Sequence, residues 1–255
     1  MDVKPIPGLE HLPFAEVWFH EVDVERLREA SARAGQLGKT GFEVWTTDRT
    51  PAVVRFLEPR RYEEVRRYLV TELDLASAPP APAPPPRVRL VTFAQRPDLG
   101  PQLYALACEA YPDQPGRAGT RLPPYEAWRA WGLDPHPPDG YFVALEGERA
   151  VGYGYLELSG DRATHGFMVV ARAARGRGIA GAIKRAQIGW AAERGLRALR
   201  TATEMRLVGM RALNERLGYR LLYTEIVLRG PTVGRQAAVS PAARDPPEPK
   251  SSRAD

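Results

Sequence analysis

The sequence predicts an α/β protein, on three observations. Between residues 88 and 229, alternating apolar and polar stretches, the mark of strands, take turns with stretches whose apolar residues recur every three or four positions, the mark of helices. Residues 168–182, MVVARAARGRGIAGA, run from an apolar strand through an arginine- and glycine-rich turn into a helix. The order helix–strand–helix–strand that follows this turn also occurs earlier, at an offset of 157 residues. There Gly38 matches Gly195, Thr46 matches Thr203, and the run from Phe56 to Tyr62 lies beside that from Leu213 to Tyr219.

Taken in order, residues 24–37 read as a helix, 41–46 as a strand, 50–57 as a helix and 62–73 as a strand. Residues 76–87, ASAPPAPAPPPR, form a proline–alanine linker of extended, semi-rigid character. Residues 87–93 alternate as a strand. Residues 98–110 are helical, with Leu99, Leu103, Leu106 and Ala110 on one side. A loop over 112–124 leads to Tyr125, Trp128 and Trp131 at helical spacing. Residues 140–146 and 150–158 read as a hairpin joined at Gly147 and Glu148, and 162–170 as the strand entering the turn. The next helix carries Ile179, Ile183, Ala186 and Trp190 on one stripe and stops at Gly195. A short strand at 196–202 and a helix at 205–217 follow. Residues 231–255 lack periodicity and read as a disordered tail.

Composition narrows the function classes. The 255 residues, 44% of them hydrophobic, can hold one or two cored domains. The formal charge of +5 comes from scattered arginines. A run such as Arg55, Arg60, Arg61, Arg66 and Arg67 has no interleaved aromatic platform, so no nucleic-acid partner is expected. No apolar run approaches the ~20 residues of a membrane span, and the N-terminus has no leader pattern, so a cytoplasmic protein without a membrane partner is expected. The single cysteine, Cys108, excludes an intrachain disulfide and reads as a small core residue; no metal is expected.

The turn at 171–180 carries the chemistry. Gly176 and Gly178 let backbone approach a ligand closely, and the first-turn amides of the helix beyond have no intrahelical partners. Those amides, the helix dipole, Arg175 and Arg177 together suit a diphosphate. Gly176, Gly178 and Gly181 formally fit the G-x-G-x-x-G dinucleotide fingerprint, with Glu204 past the next strand as a ribose-binding acid. In that fingerprint the first glycine follows the strand almost directly, whereas here residues 171–175 intervene.

The turn resembles the coenzyme A pyrophosphate loop of the GNAT superfamily of N-acetyltransferases, Gln/Arg-x-x-Gly-x-Gly/Ala, which Arg175, Gly178 and Ala180 fill. The helix ending in Leu213-Asn214-Glu215-Arg216-Leu217-Gly218-Tyr219 is similar to that family's closing element. The resemblance implies a complete GNAT domain over 88–230: a central mixed, largely antiparallel sheet flanked by helices. It also makes residues 1–75 a degenerate half-unit of the same fold. This half-unit lacks the phosphate turn and is expected to dock on the other domain or on a partner.

The resemblance further implies a direct acetyl transfer from acetyl-CoA to a primary amine. Met168, Val169 and Val170 would hold the acetyl and pantetheine. Arg175, Gly176, Arg177, Gly178, Ile179 and Ala180 would hold the pyrophosphate, and Asn214 would touch the cofactor where many members place a proton-donating tyrosine. Such a transfer needs a held cofactor, a donor for the developing oxyanion, an uncharged amine and a proton for the thiolate. Glu157 and His165 are the candidate catalytic bases, with Glu204 a third. The acceptor would be shaped by residues 111–141, which hold Asp113, Asp134, Asp139, three aromatic residues at helical spacing and seven prolines. Family members with this closing motif usually carry asparagines where this chain has Thr203 and Leu207. A non-catalytic acyl-CoA-binding or regulatory module is therefore the alternative.

Overall fold

The computed structural model describes residues 1–6, 9–77 and 85–233. Most of the linker expected at 76–87, and the tail from 234 on, lie outside the described residues.

The N-terminal part contains strands β1 (Val3–Pro5) and β2 (Phe14–Trp18), helix α1 (Val24–Gln36), strand β3 (Gly41–Thr47), helix α2 (Pro51–Leu57) and strand β4 (Glu63–Asp74). Asp23 caps α1 by accepting from the Arg26 amide at 2.8 Å, and Pro51 opens α2 at a position where its missing N–H costs nothing. After the linker come β5 (Arg89–Thr92), α3 (Gly100–Ala110), α4 (Tyr125–Gly132), β6 (Phe142–Glu146), β7 (Arg149–Ser159), β8 (Arg162–Val170), α5 (Ile179–Glu193), β9 (Ala198–Glu204), α6 (Val208–Arg216) and β10 (Arg220–Pro231). Strands β1 and β2, of three and five residues, have no counterpart in the sequence reading.

All ten strands form one sheet in the order β1-β2-β3-β10-β4-β9-β8-β7-β6-β5. Only β2–β3 and β8–β9 pair in parallel, so the sheet is mixed and largely antiparallel. This excludes the doubly wound parallel sheet that the dinucleotide fingerprint requires. The sheet runs through both halves of the chain without a break. β10 lies between β3 and β4, while β4 lies between β9 and β10.

Strand periodicity assigns the faces. Helices α1 and α2 cover Ala15, Val17, Phe42, Val44, Ile226 and Leu228. Helices α5 and α6 cover the same side further along, over Leu73, Ala144, Val151, Leu156 and Leu199. Helices α3 and α4 pack on the opposite side, over Val143, Leu145, Tyr153 and Val169. On that opposite side the five strands β2, β3, β10, β4 and β9 have no helix. Their side chains there are mostly polar or aromatic, Glu16, Glu43, Trp45, Glu225, Arg66, Tyr68 and Glu204, with Val70 and Val227 among them. Cys108, expected in the core, is exposed on α3.

Candidate active site

Strands β8 and β9 pair only through Arg162↔Ala198, Ala163↔Leu199 and Thr164↔Arg200, after which they splay. The cause lies in β8. Between the pairs Gly154↔Met168 and Leu156↔His165, β8 spends one residue more than β7, a bulge that bends it away. Gly166 makes the bulge possible, because a Cβ there would stand 2.0 Å from the Tyr155 ring. Beyond the bulge, residues 165–170 of β8 and 201–204 of β9 border an open gap.

At the far end of β8 the chain turns at Ala171 and enters α5. The first backbone bond closing α5 runs from the Ala182 amide to the Gly178 carbonyl, 3.0 Å, which leaves the amides of Ile179, Ala180 and Gly181 without intrahelical partners. Gly178, the N-cap, has φ of 82°, a left-handed conformation that side chains disfavour. A cavity of 710 Å³ opens beside this turn. Of the ten residues expected to hold the cofactor, Met168, Val169, Val170, Arg175, Gly176, Gly178, Ile179 and Ala180 line it. Free amides at a helix N-terminus, open space beside them and the bent strand leading to the gap together fit a pyrophosphate with a thioester arm.

Two expected members of that set point elsewhere. Arg177 turns to an ion pair with Glu146. Asn214 is buried between α6 and β9, where its amide nitrogen donates to Thr203 Oγ1 at 2.9 Å; it lines neither large cavity. Its Oδ1 is buried without a partner, an acceptor left unmatched inside the wall of the gap. Arg175 donates to Asp113 at 2.7 Å, as does Arg172. The two guanidiniums hold the Asp113 carboxyl down to about 2.

A second cavity, of 380 Å³, lies over the helix-free polar face of the sheet and shares Gln114, Pro115, Phe167, Met168, Leu207 and Met210 with the first. The gap between β8 and β9 therefore joins a cofactor side to an opposite side. The N-terminal strands wall this second space with Trp45, whose ring stacks on Tyr68 at 5.2 Å, and with Glu43, held between Arg66 and Arg229. Burial pushes the Glu43 carboxyl up, but the two guanidiniums outweigh it and keep it below the usual range. Glu225 projects into the same space from β10, directly opposite Tyr68 and Thr47. It makes no hydrogen bond or ion pair among the described residues, and burial raises its carboxyl to about 6. Glu204, 2% exposed, is satisfied by the amide and guanidinium of Arg206.

The two expected bases fare differently. Glu157 sits on β7 opposite Thr164, at the closed end of the strand pair; it is exposed and borders neither cavity. His165 does line the second cavity, but both ring nitrogens are engaged, Nδ1 with Gln187 Oε1 at 2.9 Å and Nε2 with the Tyr219 hydroxyl at 2.5 Å. With Gln187 accepting, Nδ1 carries the proton and Nε2 accepts from the phenol. Burial, with the charge of Lys184, holds the imidazole neutral, well below its ordinary pKa. The three aspartates of residues 111–141 are likewise spent. Asp113 is tied to Arg172 and Arg175, Asp134 to Arg129, and Asp139 to Arg194. That segment reaches the second cavity through residues 114–117 instead.

A helix start with free amides joined to a bulged, splayed strand pair is the architecture of this site. Residues 101–219 match the model of the Acetyltransferase (GNAT) family, and the chain carries a domain of that family. A mycothiol acetyltransferase of Catenulispora acidiphila is 31% identical over 193 residues, 74% of this chain and 54% of that protein, so the chain spans about half the length of this curated relative. Among solved structures, a GCN5-related N-acetyltransferase from Sphaerobacter thermophilus superposes with a TM-score of 0.71 at 20% identity, covering 91% of this chain and 76% of that one. A tandem GNAT protein from the clavulanic acid biosynthesis pathway gives 0.63 at 18% identity, covering 87% and 76%. At such identities these structures support the fold alone.

Proposed function

We propose that this protein transfers an acetyl group from acetyl-CoA to a primary amine by direct attack. The observation that carries the reading is the pair of cavities joined through the β8–β9 gap, one beside the free amides of α5 and the other floored by an unpartnered carboxylate. The amides of residues 179–181, with Arg175 swung from Asp113, hold the pyrophosphate. The β8 backbone at Met168 and Val170 orients the thioester in the gap. The amine enters from the polar face, where Glu225 binds its ammonium form and takes the proton, leaving nitrogen's lone pair free to attack. The stacked rings of Trp45 and Tyr68 offer a second surface for a cation. In this reading residues 1–75, the degenerate half-unit, act as the acceptor-binding wall, since they lack a phosphate turn but supply most of that floor.

The test couples calorimetry of acetyl-CoA binding to release of free CoA thiol across a panel of primary amines, in which compounds related to mycothiol belong. Binding with turnover on at least one amine is expected. Binding without turnover on any would make the chain an acyl-CoA-binding module instead.

A further inference from the structure

We propose that Lys184 is the group that protonates the departing thiolate. This rests on the acetyl-transfer reading and supplies a proton donor that it lacks. The closing helix offers no phenol at Asn214, and Asn214 itself is turned into the protein.

Lys184 is an anomaly on physical grounds. It is 2% exposed, yet makes no ion pair among the described residues. Its only hydrogen bond among the described residues is a long one, 3.4 Å to Thr201 Oγ1, and its ammonium lies 5.3 Å from the centre of the Tyr219 ring. Lysine is almost never buried without a counter-ion, because desolvating the charge is unfavourable and nothing offsets it. A site that keeps one in this state is a candidate for proton transfer.

Its place fits that role. Lys184 springs from α5 on the cofactor side of the sheet, bonds to β9 and faces His165 of β8, yet it lines the cavity on the opposite side. It therefore spans the gap in which the thioester must lie. The titratable groups facing it are His165 from β8 and Tyr219 after α6, and both are held neutral. Glu204 of β9 points to the other face and is bound to Arg206. With no carboxylate to hold its proton, burial brings Lys184 to about 7. An ammonium this acidic gives its proton readily to a thiolate, whose conjugate thiol has a pKa near 8.5.

The step balances. The amine lone pair forms the C–N bond at the thioester carbon while the amine's extra proton goes to Glu225. The C–S bond breaks with its electron pair on sulfur, and the sulfur takes a proton from Lys184 to leave as free CoA thiol. Lys184 is then neutral and regains a proton from water, while Glu225 gives up to water both protons that the ammonium loses, one before attack and one after, so each turnover releases one proton overall.

The experiment compares the wild type with Lys184→Met and Lys184→Arg, using acetyl-CoA and the best amine of the panel. Lys184→Met is expected to bind acetyl-CoA within about threefold of the wild type and to melt no lower, while turnover falls by roughly 10²- to 10⁴-fold, the worth of a general acid. The wild-type rate should decline above pH about 7, and the Met variant should lose that decline. Lys184→Arg keeps the charge but holds its proton permanently, so it too should be slow. Recovery of activity by Arg would overturn proton donation in favour of a fixed charge. A Met variant with wild-type turnover, or a stable acetyl group found on Lys184 by intact mass, would overturn it as well. Should neither variant fold, the wild-type profile decides, a flat rate between pH 7 and 9 counting against the proposal. A wild type that binds no acetyl-CoA would instead sink the acetyl-transfer reading itself.

Discussion

At the scale of single residues, the glycines of the cradle and the buried charges behind it call for different tests. Gly178 borders the first cavity and has φ of 82°, so Gly178→Glu places a strained, negatively charged side chain at the cradle. Calorimetry should show acetyl-CoA affinity lost while circular dichroism stays that of a folded protein. Unchanged affinity would remove the cofactor assignment. Glu225 should give the rising limb of the rate profile, with activity growing through pH about 6 as its carboxylate forms. Glu225→Gln should lower turnover by roughly 10²-fold or more and flatten that limb, with acetyl-CoA affinity intact. Lys184 makes a stability prediction of the opposite sign to its effect on rate. Its pKa falls from 10.5 to about 7 on folding, so across that window the unfolded chain binds more protons and stability rises with pH. The penalty below pH 7 is on the order of 5 kcal/mol for a shift of this size. Chemical denaturation of Lys184→Met should show a protein more stable by a few kcal/mol near neutrality, without that slope.

At the scale of elements, the bulge in β8 decides whether a site exists. Gly166→Ala sets a methyl group against the Tyr155 ring, and the contact can be relieved only by moving β8 or the ring. Overpacking of this kind costs about 1–3 kcal/mol. Thermal melts should drop by several degrees and acetyl-CoA binding should weaken as the gap narrows, whereas an alanine variant with wild-type melting and binding would show the bulge to be set elsewhere. No pattern in the sequence announces this bulge, because a single glycine in an apolar strand has several causes. The longer elements were legible, since their periodicity is strong. The strand expected at 162–170 is β8 as it stands, and the expected glycine-rich turn borders the first cavity through Arg175, Gly178 and Ala180. What could not be read was burial of polar groups. Periodicity in the helix at 179 points to a stripe through Ala186 and Trp190, whereas its buried face beyond Ile183 takes Lys184, Gln187, Ile188 and Ala191. Glu157 is a carboxylate on a strand that borders the site, but its register places it at the closed end. Nothing in the sequence marks Glu225, which lies on the last strand and meets the site only through pairing with β3 and β4.

At the scale of the whole molecule, the repeat at an offset of 157 residues has a structural counterpart. Strand β3, Gly41–Thr47, shifts onto β9, Ala198–Glu204, and β4, Glu63–Asp74, shifts onto β10, Arg220–Pro231. The left-handed turn at Arg61 likewise shifts onto that at Gly218. The last strand of each half then inserts into the other half, β4 between β9 and β10 and β10 between β3 and β4. Neither half closes its own sheet. Alone, the C-terminal part would leave β9 and β10 with their main-chain groups unpaired on the sides that β4 fills, and the N-terminal part would leave the same vacancy between β3 and β4. The pairing also brings Trp45, Tyr68 and Glu225 to one floor. A chain beginning at Arg87 should therefore be insoluble or unfolded by circular dichroism, as should residues 1–77 expressed alone. Coexpressed, the two pieces should copurify as a one-to-one complex that binds acetyl-CoA. A C-terminal piece that folds alone, binds acetyl-CoA and acetylates the same amine at the full rate would show that the exchanged strands contribute neither the fold nor the acceptor floor assigned to them.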